Sequence, residues 1–345
     1  MLERLKVEQP DHFYLLTFFS PSGYLQHSNY SKANSVHYLP LDNKPNAKQF
    51  IEIVKPKIVV FVKYEFWLFY FKELSGRQIP LFLISAKLTE SHLFFQWYGS
   101  RYRQVLKLPT LFFVQDEKTN ELLKGLDIDN TMVTGDTRID RVLEVLSSGK
   151  DNAIVESFLD NRKAVVVGSS WKTEEDYVMK WLNSGAFSGK IIMAPHEINP
   201  QKITEFMEKL SVSSVRYSQV ELGLEEPKGQ VLILDCIGVL KEIYKYGSWA
   251  FIGGGFSDGI HNILEPATFG LPILFGPNYK KFGEAEDLIE QGGAVSIKSY
   301  KEFFEQSALL MNPMQLKERS QICESYIHQN QGATEMVVKH LKSYL

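Results

Sequence analysis

Phe251-Ile252-Gly253-Gly254-Gly255-Phe256, continuing as Asp258-Gly259-Ile260-His261-Asn262-Ile263-Leu264-Glu265-Pro266-Ala267, reads as a buried strand, a glycine-rich turn and a helix that begins near Asn262. Such a join leaves the first backbone N–H groups of the helix without internal partners, free to face a phosphate or another anion. Asn262 is a residue type that caps helix starts, and Glu265, in the first turn, offers acceptors to ribose hydroxyls. The plainer alternative is a glycine-rich strand exit that permits tight packing, with His261 as a packed residue. Pro272-Ile-Leu-Phe-Gly-Pro277 and Phe282-Gly283-Glu284 follow closely. They place three successive loops at the carboxyl ends of adjacent strands, where open α/β sheets bind ligands, and so favour a ligand site.

Outward from this stretch, short β-rich runs alternate with amphipathic segments. Phe13–Phe19, Ile58–Tyr64, Pro80–Ile84 and Leu111–Val114 form a first series, separated by helix-like stretches such as Ala47–Val54 and Glu117–Leu123. A second series runs through Lys163–Gly168, Lys190–Ala194, Val231–Leu234, Trp249–Gly253, Pro272–Phe275 and Ala294–Ile297. That rhythm predicts parallel sheets covered by helices, in two doubly wound α/β domains facing a cleft. The breaker Ser147–Asn152 marks the expected division, giving domains over 1–147 and 148–345. The last helical stretch, about Gln331 to Leu345, is free in sequence terms to pack on either domain.

The 345 residues suffice for two domains with substantial cores, and 44% hydrophobic with 23% charged residues is a soluble globular composition. A net charge of −3 gives no general reason to expect nucleic acid, so any anion site is local. Cys236 and Cys323 have neither metal-ligand nor redox spacing, which fits a reducing compartment. The start, Met1-Leu-Glu-Arg-Leu-Lys6, lacks the apolar core of a signal peptide. Ile58–Phe71, the most apolar stretch, is too short to span a bilayer and is interrupted by Lys63 and Glu65. Any membrane work of this chain is therefore expected at a surface.

Three further segments carry candidate chemistry. Glu65 follows the apolar run Ile58–Val62 and belongs at a strand's carboxyl end; the plainer alternative is a carboxylate favoured by a helix start. Arg138 stands in Thr134-Gly-Asp-Thr-Arg-Ile-Asp140, where pairing with Asp136 or Asp140 is the plainer reading. His92-Leu-Phe-Phe-Gln-Trp-Tyr98, with Arg101, Tyr102, Arg103 and Lys107, mixes aromatic and basic groups and is either a headgroup-resting surface or an ordinary amphipathic helix.

Gly259–Ala267 with Gly276-Pro277 and Phe282-Gly-Glu284, together with Tyr64-Glu-Phe-Trp67 and Thr134–Asp140, resembles the bacterial 3-deoxy-D-manno-octulosonic acid (Kdo) transferases, in order over nearly the whole chain. The resemblance implies a GT-B-type fold and an inverting, metal-independent transfer of Kdo from CMP-Kdo to a lipid A precursor in lipopolysaccharide biosynthesis, with no cofactor. It implies CMP contacts at Pro195 and His196, at Ile237, Gly238 and Val239, and at Asn262, Ile263, Leu264 and Glu265. His196 replaces an arginine frequent in the family, and Val239 an acidic residue. Glu65 matches the glutamate assigned to transition-state stabilisation. Arg138 matches a lysine that balances charge on the departing phosphate, although guanidinium and ammonium reach differently.

The family's general base is a glutamate in a Ser-x-Gly-Glu motif on a first strand-loop-helix unit, on the order of 30 residues long. That motif does not occur here, so the expectation is a chain truncated at its start that transfers Kdo slowly or not at all. The implied partners are the CMP-Kdo donor, the lipid A precursor and the inner-membrane surface at its cytoplasmic face. Two rival readings are a UDP-sugar GT-B glycosyltransferase or epimerase and a non-catalytic nucleotide-binding protein.

Overall fold

The computed structural model describes residues 1–148 and 151–345. The chain divides into two compact units, Met1–Asp140 with Asn330–Leu345, and Arg141–Gln329. The expected division at 147 falls inside the helix Thr137–Ser148, and part of the Ser147–Asn152 breaker lies outside the described residues. The tail belongs with the first unit, and the reason is local. Asp140 accepts the N–H groups of Gly332 and Thr334, each at 2.6 Å, at the start of the helix Ala333–Leu341. Val337, Val338 and Leu341 of that helix then join Leu5, Tyr14, Phe82, Ile84 and Phe113 in one buried cluster.

In the first unit β1 (Leu15–Phe18) pairs in parallel with β2 (Ser35–Tyr38). A separate parallel sheet holds β3 (Val59–Val62), β4 (Leu81–Ala86), β5 (Leu111–Val114) and β6 (Thr131–Val133) in that order. Every residue of β4 is buried, as suits an inner strand covered on both faces. A helix over Leu2–Glu8 precedes β1, where the sequence reading places no element.

The second unit contains β7 (Ala164–Ser170), β8 (Lys190–Pro195), β9 (Ser214–Arg216), β10 (Val231–Ile233), β11 (Gly247–Ile252), β12 (Ile273–Phe275) and β13 (Ala294–Ser296). They form one parallel sheet in the order β13-β12-β11-β7-β8-β10-β9. Its core is aromatic: Trp181, Trp249, Phe251 and Phe303 pack with Val165, Val167, Ile191 and Met193.

Candidate functional sites, one in each unit

In the second sheet β7 is flanked by β8, which follows it directly, and by β11, which the chain reaches only after β9 and β10. This is the switch point at which a parallel sheet leaves a crevice beyond its carboxyl ends. The loops leaving β7, β8 and β11 bring Trp171, His196 and His261 together. The Trp171 indole lies on the His196 ring at 4.4 Å between centroids and 17° between planes. The His196 and His261 rings are stacked at 4.6 Å. Trp171 Nε1–H donates to His261 Nε2 at 3.1 Å.

Backbone bonds fix all three loops. His196 N–H reaches the Ser170 carbonyl at 2.9 Å, His261 N–H reaches Gly253 at 3.1 Å, and Gly253 N–H reaches Gly168 at 2.9 Å. The glycines serve close packing first: a Cβ on Gly253 would stand 2.0 Å from the Ser169 carbonyl oxygen, and one on Gly255 2.4 Å from Gly276 N. A cavity of about 210 Å³ opens beside the stack, lined by Trp171, Lys172, Glu175, Pro195, His196 and Lys202 among others. A larger, more open hollow of about 480 Å³ runs along β13 past Lys280, Lys298 and Arg319, and none of the expected site residues lines it.

The Asn262–Glu265 segment departs from its expected form. Its helix covers only Leu264–Thr268, so it starts two residues late and is too short for a strong dipole. Asn262 still satisfies the helix start, accepting the Leu264 N–H at 3.1 Å, and its amide donates to Glu265 at 3.0 Å. Ile263 and Leu264 are core residues, 1% and 0% exposed, so their side chains do not face a ligand. Glu265 is the titratable member of the segment. Burial raises its carboxyl above the usual range, against the opposing pull of the Asn262 hydrogen bond and of Lys241.

Lys241 lies in the helix Leu240–Ile243, just beyond Ile237, Gly238 and Val239. Those three residues form the turn after β10, with Gly238 at φ +93° and the Ile237 side chain 91% exposed. Pro195 closes β8 and His196 is exposed. Burial lowers His261 below the ordinary imidazole value, and His196 lowers it further.

In the first unit Glu65 lies in the turn after β3, exposed, and accepts a hydrogen bond from the Trp67 indole N–H. It is not the carboxylate at the following helix start. Asp42 fills that role, accepting the Phe69 and Tyr70 N–H groups of the helix Leu68–Gly76 at 3.0 and 3.2 Å. Arg138 follows β6 and is paired with Asp136: its N–H meets Oδ1 at 2.9 Å and its Nε meets Oδ2 at 2.8 Å. This is the pairing of the plainer reading, but Asp136 is buried, so it is not a surface contact. The same carboxylate accepts from Gln115 at 3.0 Å and has Lys63 Nζ at 4.0 Å. β3 and β6 are the two edges of their sheet, so two strands separate the ends that carry Glu65 and Arg138.

The His92–Tyr98 segment is not an amphipathic helix. Leu93–Phe95 makes one 3-10 turn, and Arg103 holds it by donating to the Phe94 and Gln96 carbonyls at 2.8 and 3.0 Å. Phe94 and Phe95 are half-buried against the sheet's core, whereas Trp97 is 87% exposed next to exposed Tyr98 and Tyr102.

Sequence reasoning missed Trp171, Asp42, Gln115 and the fully buried Glu174, whose carboxylate accepts the Trp171 N–H at 3.2 Å. The spacing from Trp171 to Glu174 is that of a capping box, but tryptophan in place of serine or threonine hides it.

Residues 1–141 match the family model described as 3-deoxy-D-manno-octulosonic-acid transferase (kdotransferase). A 3-deoxy-D-manno-octulosonic acid transferase of Aquifex aeolicus is 28% identical over 300 residues, covering 84% of this chain and 76% of the relative. One of Chlamydia trachomatis serovar D is 26% identical over 361 residues, covering 100% and 82%. Among solved structures, the UDP-GlcNAc 2-epimerase from Neisseria meningitidis bound to UDP-GlcNAc superposes with a TM-score of 0.69 at 16% identity, over 99% of this chain and 96% of that one, a likeness of fold. With its parallel α/β units on a GT-B-type fold and these matches along most of its length, the chain is similar to the 3-deoxy-D-manno-octulosonic acid transferases, whose family model matches its first 141 residues.

Proposed function

We propose that this protein moves Kdo from CMP-Kdo to a lipid A precursor in lipopolysaccharide biosynthesis. The observation that carries the reading is its similarity to Kdo transferases over 84% to 100% of its length. The second unit takes the CMP-sugar at the carboxyl ends of β7, β8, β10 and β11. There Pro195, His196, the Ile237–Val239 turn, Asn262 and Glu265 offer the contacts. A monophosphate leaving group needs fewer charges neutralised than a diphosphate, so imidazole, backbone donors and a few cations suffice without a metal.

In the first unit Glu65 acts at the transition state and Arg138 balances the departing phosphate. Asp136 holds the guanidinium in place for that role. The exposed Trp97, Tyr98 and Tyr102 rest among headgroups at the cytoplasmic face of the inner membrane. Among the described residues no helix is long and apolar enough to cross a membrane.

The test is a single-turnover assay with protein in excess over a tetra-acylated lipid A precursor, CMP-Kdo as donor, and the lipid product followed by mass. Protein excess makes slow transfer visible. The expected outcome is a Kdo-bearing lipid, with CMP bound in preference to UDP. A preference for UDP, or CMP release without labelled lipid, overturns the reading.

A further inference from the structure

The indole N–H of Trp171 has no acceptor lone pair, so it can only donate. Its bond to His261 Nε2 at 3.1 Å therefore requires that nitrogen to be an unprotonated acceptor, which puts the proton of the neutral ring on Nδ1. Protonating Nε2 would break this bond and place a cation 4.6 Å from the neighbouring His196 ring. Trp171 also stacks on His196, at 4.4 Å between ring centroids. One side chain thus sets the state of one imidazole and the orientation of the other.

We infer that Trp171 is a positioning residue of the nucleotide site: it holds His261 as the neutral Nδ1–H tautomer and steadies His196, so that His196 is the one imidazole of the stack that gains a proton when a phosphate binds beside it. The inference rests on the CMP-sugar reading for its ligand but not for its tautomer.

The surroundings agree. Burial and His196 both hold His261 below the ordinary imidazole value. From the helix Lys172–Asn183, the stack is faced by Glu174 and Glu175, both raised by burial, and by Lys172, which is paired with Asp176 at 2.5 Å. From the segment after β8 come Glu197 and Lys202, paired with each other at 2.8 Å. The lysines are already partnered with carboxylates, so the change in charge that meets an incoming phosphate is assigned to the imidazoles.

Long-range proton–nitrogen spectra of the ligand-free wild-type protein give the first test, with no variant needed. His261 should show an unprotonated Nε2 and a protonated Nδ1; the opposite tautomer overturns the inference. Trp171→Phe keeps the ring stack and removes the donor. Its His261 should titrate about one pH unit higher than in wild type, a roughly tenfold gain in proton affinity. An unchanged midpoint overturns the inference.

The ligand test uses the methyl ester of CMP, because the second ionisation of a phosphate monoester, near pH 6, would obscure the count. Wild-type affinity should rise as pH falls from 8 to 5.5 with uptake of about one proton, and Trp171→Phe should take up about two. Equal uptake by both proteins sinks the positioning role. If neither protein binds the ester, the nucleotide reading fails, while the tautomer measurements still decide the role of Trp171.

Discussion

The two units bend a strand in the same way and put the bend to different use. Ser85 in β4 and Ser169 in β7 both adopt φ +51°, each at a break in strand register. In the first unit the bend feeds a polar lattice. Ser85 Oγ accepts the Thr137 N–H at 3.1 Å, and Gln115 donates to the Ser85 carbonyl and to Asp136, both at 3.0 Å. Asp136 in turn carries Arg138. In the second unit the Ser169 carbonyl lies against Gly253, and what gathers around it is backbone and stacked rings. The first site is held by charge and the second by steric fit, so they should fail under different substitutions.

Gly253→Ala should produce the largest effect. Its Cβ would fall 2.0 Å from one backbone atom of Ser169 and 2.8 Å from another, and backbone in a central strand cannot yield. Overpacking of this kind typically costs about 3 kcal/mol. Gly135→Ala makes the matching change in the first unit. It meets nothing closer than 3.5 Å and suffers mainly from φ +90°, for about 1 kcal/mol. Urea unfolding of both variants checks the order, and a larger loss for Gly135→Ala would break the contrast between the units.

Asp140→Ala follows. It strips two N–H groups of their acceptor at the start of the helix Ala333–Leu341, a loss of about 2 kcal/mol. Faster hydrogen exchange over residues 333–341 should accompany it. Protection unchanged across that helix would mean that apolar packing alone holds the tail.

Glu265→Ala tests the binding side of the second unit. A buried charge-assisted hydrogen bond to a ribose hydroxyl is worth about 1.5–3 kcal/mol, or one to two decades in CMP affinity. Calorimetry in the presence of chelator should show wild-type binding and this loss. An equal fall in melting temperature and affinity would make Glu265 a structural group that merely holds Asn262. Recovery of binding only on adding magnesium would remove the metal-independent reading.

The central strands were legible because they are apolar on both faces. β5 matches its expected span, Leu111–Val114, and β4, β7 and β11 differ only at their ends. The strands missed, β2, β6 and β9, all lie at sheet edges. Ser35-Val-His-Tyr38 and Ser214-Val-Arg216 bury one face at most and offer no apolar run to read. At the sites, the glycine-rich turn and the Thr134–Asp140 motif are contiguous in sequence and stood out. Trp171, His196 and His261 are drawn from three loops, and only sheet order brings them together. Asp42 caps a helix that begins 26 residues later in sequence, a partnership no local spacing rule encodes.

The smallest expected effect concerns Glu174 and bears on whether the second site is truly neutral. Glu174 is 0% exposed. One carboxyl oxygen accepts the Trp171 N–H at 3.2 Å, and the other is buried with no hydrogen-bond partner of normal geometry, although the Gly254 N–H is near enough to favour the charged form. Burial outweighs those contacts and raises the carboxyl above its ordinary value of 4.5. Between that value and the raised one, the folded protein keeps a proton that the unfolded chain has released. The contribution to stability is therefore fully present below about pH 4.5 and is lost as pH rises through the folded value. Glu174→Gln removes the titration and keeps an acceptor for the Trp171 N–H. The stability difference between variant and wild type should move in the variant's favour as pH rises from 4.5 to 8. Urea midpoints taken across that range measure it. A flat difference would mean that Glu174 ionises as easily in the fold as in the unfolded chain; a full negative charge would then stand beside the Trp171 stack, and the second site would be held by charge, as the first is by Asp136.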